Sequence, residues 1–227
     1  MSREGSVMMQ RSWFWDRLAK RYARMPIVDQ ASYETRLEKT RALLRPDSRM
    51  LEFGCGTGST AILHAPHVAH ILAIDYSARM LDIARERARA AGASNVSFAQ
   101  GSLAELESPA GSWDVILGMN ILHLLPDRAQ TLTRVKELLK PGGLFISSTI
   151  CIGDGSWQMR AVAPVFRALP LLPSVFFAHA EAVDGGSETH RTGDRALLVA
   201  RRKQSRLYRG KKASLGNIAL NVVPPLM

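Results

Sequence analysis

Two cysteines, Cys55 and Cys151, are too few for a disulfide framework or a four-cysteine zinc site. A reducing, cytoplasmic setting is therefore expected. The first thirty residues lack the unbroken apolar core of a secretory signal. Aromatic residues make up only 7% of the chain, and no apolar run reaches membrane-spanning length. The most apolar stretch, 161–178, is broken by Pro164, Arg167, Pro170 and Pro173, which leaves it peripheral contact with a lipid surface at most. Acidic charge is also scarce, 20 Asp and Glu against 30 Lys and Arg. The surplus is uneven: residues 191–227 hold nine of the basic residues, among them Arg201, Arg202, Lys203 and Arg206, and one acid. Such a tail, continuing through Arg209, Lys211 and Lys212, suits nucleic acid or anionic lipid, or simply stays solvated.

What is present is ordinary for one globular domain: 227 residues, 46% hydrophobic and 22% charged, enough to bury a core between layers of secondary structure. Trp15, Leu18, Ala19 and Tyr22 recur at helical spacing, Pro26 interrupts, and Tyr33, Leu37, Ala42 and Leu43 resume the pattern. Two helices thus precede a run of short β-like segments at 49–53, 70–74, 96–99, 113–118 and 144–149. Helical patterns lie between them, notably 78–91, which stops at Gly92, and 131–140, which stops at Pro141, Gly142 and Gly143. The alternation predicts an α/β fold: a doubly wound, mostly parallel Rossmann-like sheet with helices on both faces. Its functional crevice lies beyond the C-terminal ends of the strands.

The first strand runs into LEFGCGTGST, residues 51–60, where Gly54, Gly56 and Gly58 sit between strand and helix. Only glycine turns this tightly and lets a bound molecule approach the backbone. Asp75, at the end of the second strand in ILAIDYS, can accept both hydrogen bonds of a ribose diol. Together they point to an adenosine-containing cofactor. A dinucleotide fingerprint needs its third glycine where Ser59 stands, and the alternate spacing seen here opens the loop for an amino-acid moiety rather than a diphosphate.

These residues, with AIDYSARML, SWDVILGMNILHLL and LLKPGGLFISST, resemble the class I S-adenosylmethionine-dependent methyltransferases over about residues 15–172. The resemblance implies S-adenosylmethionine as cofactor. It places the methionine moiety on Gly54, Cys55, Gly56 and Gly58, with Glu52 fixing the loop and Asp75 on the ribose. Tyr76 and Met80 follow in the same motif, Ser102 and Leu103 match the loop that brackets adenine, and Asn120 lies where the fourth strand opens toward the sulfonium. Many members carry aspartate where Ser102 stands. Tyr22, with Trp13, Phe14 and Trp15, resembles the family's aromatic lid.

A sulfonium methyl is already activated, so transfer asks mainly for positioning and exclusion of water. If a proton must be removed, His123 in NILHLLPD is the candidate base by position, and packing of the turn is its other reading. His64, His67 and His70 are interrupted by Pro66 and lack further ligands, so no metal site is expected. The fourth-strand motif has Met119, Asn120, Ile121 and Leu122 in place of the Asn/Asp-Pro-Pro-aromatic box, which favours a small-molecule acceptor, and LHLLPD resembles the quinone-type enzymes. The apolar stretch 157–177 suggests a lipophilic or aromatic one. A cofactor-binding protein without turnover, or a nucleic-acid methyltransferase using the basic tail, are the alternatives. Three segments result: an N-terminal helical lid over 1–48, the cofactor-binding domain over 49–200, and a basic tail over 201–227. ALLVA, 196–200, reads as the last strand; apolar periodicity fades after Val183, so the penultimate strand reads as missing or displaced and the C-terminal hairpin as incomplete.

Overall fold

Residues alternating between two apolar faces dictate a sheet buried on both sides, and β1 (Arg49–Phe53) shows the pattern most plainly. Met50 joins a core with Ile71, Leu81, Val115 and Ile146 on one face. Leu51 and Phe53 join Ile116, Val135, Leu138 and Phe145 on the other. Phe53 and Phe145 stack at 6.3 Å between ring centroids. The computed structural model describes residues 3–27, 30–125, 127–150, 190–192, 195–202 and 218–219.

Two helices, α1 (Arg3–Tyr22) and α2 (Gln30–Arg41), precede β1. There follow α3 (Ser59–His64), β2 (His70–Asp75), α4 (Ala78–Ala90), β3 (Val96–Gln100), β4 (Trp113–Met119), α5 (Arg128–Leu138) and β5 (Leu139–Ile150). The chain closes with β6 (His190–Thr192), β7 (Arg195–Arg202) and β8 (Ile218–Ala219). Strand order is β3-β2-β1-β4-β5-β7-β6, and β8 also pairs with β7. The first five strands are parallel, and β7 runs antiparallel to β5. The expected doubly wound, mostly parallel α/β architecture is what forms, with α3 and α4 contributing Ala61 and Leu81 to one core and α5 contributing Val135 and Leu138 to the other.

Two expectations are corrected. The fifth strand starts at Leu139, not Leu144, and Pro141, Gly142 and Gly143 lie within it rather than ending a helix at Lys140. A bulge explains this: Trp113 pairs with Leu139, then the register shifts so that Val115 pairs with Leu144. Lys140 bonds both oxygens of Asp114 at 2.9 and 2.8 Å across the irregularity. The penultimate strand is present, too: His190–Thr192 pairs antiparallel with Arg195–Leu197. At three residues it is too short for apolar alternation to reveal, and its ladder rests on backbone bonding that sequence pattern does not report. The last strand also runs past Ala200 to Arg202, where Ile218 and Ala219 pair with it. Cys151, residues 157–177, and residues 203–217 and 220–227 of the tail lie outside the described residues. Among the described residues no helix is long and apolar enough to cross a membrane.

Candidate active site

The loop after β1 owes its course to three left-handed glycines, and their surroundings differ. Gly54 has φ +66° and Gly58 φ +74°. A Cβ on Gly54 would stand 2.7 Å from Ile121 Cγ1, and one on Gly58 2.9 Å from Ala84 Cβ. Both therefore serve close packing. Gly56 has φ +54°, yet nothing lies within 4 Å of where its Cβ would be. Its bare face opens on a cavity of about 490 Å³, in the size range of small-molecule sites.

That cavity lies beyond the ends of β1, β2 and β4, as a doubly wound sheet requires. Tyr22, Glu52, Gly54, Cys55 and Gly56 line it, as do Asp75, Tyr76, Met80 and Asn120. Gly58, Ser102, Leu103 and His123 do not line it. Gly58 is the N-cap of α3 and packs under α4. Ser102 is committed to Glu105: its hydroxyl and its amide both donate to Glu105 Oε2, at 2.8 and 3.1 Å, and the Glu105 amide donates back at 3.1 Å. Leu103 is buried in the core beside Phe53. His123 is buried in the 3₁₀ turn Leu122–Leu124, whose neighbours Ile121 and Leu124 face the cavity.

Asp75 organises the loop before it meets any ligand. Its Oδ2 accepts from the Gly56 amide at 2.8 Å and its Oδ1 from the Ser77 amide at 2.9 Å, which leaves each oxygen further accepting capacity in a residue that lines the cavity. Burial pushes its carboxyl above the ordinary value, and the amides of Ser77, Gly56 and Tyr76 oppose the shift. Ser77 then caps α4, accepting from Met80 N at 3.1 Å.

Glu52 is 2% exposed and its Oε2 has no partner. Burial, and then the charge of Asp75, raise its pKa to about 8, against the Ala61 amide at the start of α3. A buried carboxyl with one free oxygen suits a cationic group, and the methionine ammonium of the implied cofactor is such a group. Tyr33 lies nearby and bonds Thr60; burial and the Glu52 charge push its phenol up. Burial, and then the charges of Glu52 and Asp75, push the Cys55 thiol well above its usual value, which disfavours the thiolate.

Asn120 takes the left-handed conformation at φ +54°, which asparagine tolerates better than other side chains. Its amide donates to the Ser148 carbonyl at 2.6 Å, and its buried Oδ1 is unpartnered. The aromatic residues expected to form a lid divide. Trp15 and Tyr22 meet edge to face at 6.1 Å and line the cavity, whereas Trp13 is 52% exposed beneath the Arg17 guanidinium. Sequence reading missed Tyr33, Thr57, Met119 and Arg87 as lining residues; all four sat in quoted or periodic segments, but only the tertiary fold turns them inward. Among the described residues no three His, Cys, Asp or Glu side chains converge as a metal site.

A family model described as a methyltransferase domain matches residues 44–191. A ubiquinone biosynthesis O-methyltransferase from Acinetobacter baylyi is 31% identical over 125 residues, covering 54% of this chain and 52% of that protein. A demethylmenaquinone methyltransferase from Listeria welshimeri is 30% identical over 161 residues, covering 68% and 66%. A crystal structure of an S-adenosylmethionine-dependent methyltransferase from Thermotoga maritima superposes with a TM-score of 0.63 at 21% identity, over 84% of this chain and 99% of that one, and shares the fold. The chain spans between 40% and 66% of the length of these and the other first-ranking curated relatives. A glycine loop of the expected form, an acid closing β2 and a domain match over most of the chain have one explanation: the chain belongs to the class I S-adenosylmethionine-dependent methyltransferase family.

Proposed function

We propose that this protein uses S-adenosylmethionine to methylate a small lipophilic or aromatic acceptor of quinol type. The observation that carries the reading is the buried carboxyl of Glu52, whose Oε2 has no partner, beside the bare backbone of Gly56 and the end of β2. Glu52 would hold the cofactor's ammonium, the Gly54–Gly56 backbone its methionine chain, and Asp75 its ribose. Tyr76 and Met80 would line the nucleoside end. The bound cofactor supplies a methyl group already activated by positive sulfur.

The protein's share of the work is to place the acceptor and exclude water, which supplies roughly 7–11 kcal/mol in favourable cases. Trp15, Tyr22, Met25, Ile27, Met119 and Leu124 give that end of the cavity an apolar wall. Asn120 Oδ1 offers a hydrogen-bond acceptor to a hydroxyl. His123 receives a packing role in the turn that presents Ile121 and Leu124. The relatives named for ubiquinone and demethylmenaquinone support a quinol-type acceptor. The free thiol of Cys55 accords with a reducing, cytoplasmic compartment. No described feature favours nucleic acid: of the basic tail, Arg201 and Arg202 belong to β7 and pair with β8. Lipid contact by the 161–178 stretch concerns residues outside those described.

Transfer of labelled methyl to a panel of quinols, catechols and amines tests the proposal, with incorporation expected into quinols or catechols. Cofactor binding with no incorporation into any acceptor would instead favour binding without turnover.

Glu52 supplies a pH signature. Its folded pKa of about 8 exceeds the ordinary 4.5, so the folded state holds the proton more tightly. This group favours folding fully below about pH 4.5, and the benefit is lost as pH rises through about 8. An ammonium placed beside the carboxyl reverses the preference. Calorimetric titration with S-adenosylhomocysteine at pH 7, in buffers of different ionisation heat, is expected to show release of up to about one proton. Glu52→Gln abolishes the release; equal release in wild type and variant would separate Glu52 from the ammonium.

A further inference from the structure

Two polar clamps hold α1 onto α4, and both end on the cofactor loops. At one end Asp16 Oδ1 accepts from Ser77 Oγ at 2.6 Å and from the Arg79 amide at 3.1 Å. Ser77 is in turn fixed by Asp75, whose other oxygen holds Gly56. At the other end the Arg87 guanidinium spans two segments. Its Nη2 donates to the Ala23 carbonyl at 2.7 Å, just past α1. Its Nη1 donates to Thr57 Oγ1 at 2.8 Å in the glycine loop and to Ser59 Oγ at 3.2 Å.

The segment so held is the roof of the cavity: Tyr22, Ala23, Met25, Pro26 and Ile27 all line it. Tyr22, Met25 and Ile27 are also 43%, 52% and 44% exposed, so little apolar packing fixes them. The fork geometry of arginine allows one side chain to bind both partners, whereas a lysine ammonium is a single point.

We propose that Arg87 is a positioning residue of the cofactor site, which ties the roof segment 22–27 to the glycine loop so that seating the cofactor and closing the roof are one event. The proposal rests on the methyltransferase reading and goes beyond it: the residue sits on α4, outside every motif that carries the family resemblance. A ligand that orders the loop around Thr57 strengthens the Arg87 bridge, and the bridge draws the roof down over the acceptor end. Water exclusion then follows cofactor binding without a separate trigger.

The test uses the full chain and S-adenosylhomocysteine. Lys20, Arg21 and Arg24 are exposed at the end of α1 and report the roof by trypsin cleavage. In the wild type, saturating ligand is expected to slow cleavage there about tenfold or more. Arg87→Met, which keeps the stem but loses the three charge-assisted hydrogen bonds of the guanidinium, is expected to weaken binding about ten- to hundredfold. At ligand concentrations that saturate the variant, protection of the roof is expected to be absent. Arg87→Lys keeps the charge and should show the same loss of protection, and it carries the test if Arg87→Met does not fold. Wild-type protection in either folded variant at saturation overturns the proposal while leaving the cofactor reading intact. Absence of ligand binding by the wild type itself overturns both.

Discussion

Asp75→Ala is expected to lower affinity for S-adenosylhomocysteine by about hundredfold or more. The carboxylate would give a ribose diol two charge-assisted hydrogen bonds, each contributing about 1.5–3 kcal/mol, and about 1.4 kcal/mol is a factor of ten. The substitution also frees the Gly56 and Ser77 amides, which Asp75 holds at 2.8 and 2.9 Å. The loop and the N-terminus of α4 therefore lose their common anchor. Asp75→Asn, with one acceptor oxygen, should fall between wild type and alanine. Calorimetry on variants whose thermal unfolding remains cooperative makes the comparison, and an alanine variant binding within threefold of wild type would remove the ribose from this position.

The second large effect separates glycines that look alike in the sequence. Gly58→Ala places a methyl 2.9 Å from Ala84 Cβ and 3.1 Å from the Phe98 ring, at φ +74°. Left-handed strain of about 1–2 kcal/mol and overpacking of about 1–3 kcal/mol should together cost about 2–5 kcal/mol of stability. The Cβ of Gly56→Val meets no protein atom within 4 Å, so the cost to folding is chiefly the strain. Its side chain stands in the cavity instead, and binding should fall at least tenfold, about the cost of one poorly accommodated group. Urea unfolding and ligand titration of both variants should show a crossed pattern: Gly58→Ala loses the more stability, Gly56→Val the more affinity. Equal stability losses with unimpaired binding by Gly56→Val would refute the distinction.

The strands show how far pattern alone reaches. The segments at 49–53, 70–74, 96–99 and 113–118 are each within about one residue of their observed ends. The central strands β1 and β4 are buried on both faces and read as short apolar runs, and the part-exposed β3 still places Val96 and Phe98 at alternate positions. Leu139–Gly143 was illegible for the opposite reason: a bulge, a proline and two glycines look like a stop, and the Asp114–Lys140 pair that continues the strand joins residues distant in sequence. His190–Thr192 carries too few residues to express a period.

The same division runs through the candidate site. Gly56 and Asp75 could be named from the chain because a tight turn and a strand end dictate their residue types, whereas Glu52 and Asn120 were named through the family resemblance. Ser102 and His123 were named from motif position, yet a local bond to Glu105 and burial in a tight turn keep them out of the cavity lining. Arg87 and Tyr33 could not be named, since their significance comes from helices that meet only after folding.

The amino-acid order by itself determined the layered α/β architecture, the glycine loop and the acid that closes β2. Those follow from steric and hydrogen-bonding rules acting over a few residues. Tertiary structure decided which glycine leaves room for a ligand, which carboxyl keeps an unpartnered oxygen, and which arginine bridges roof and loop. Each of these depends on what packs against the residue from distant parts of the chain, and burial, which raises the Glu52 carboxyl to about 8, has no counterpart in an isolated segment.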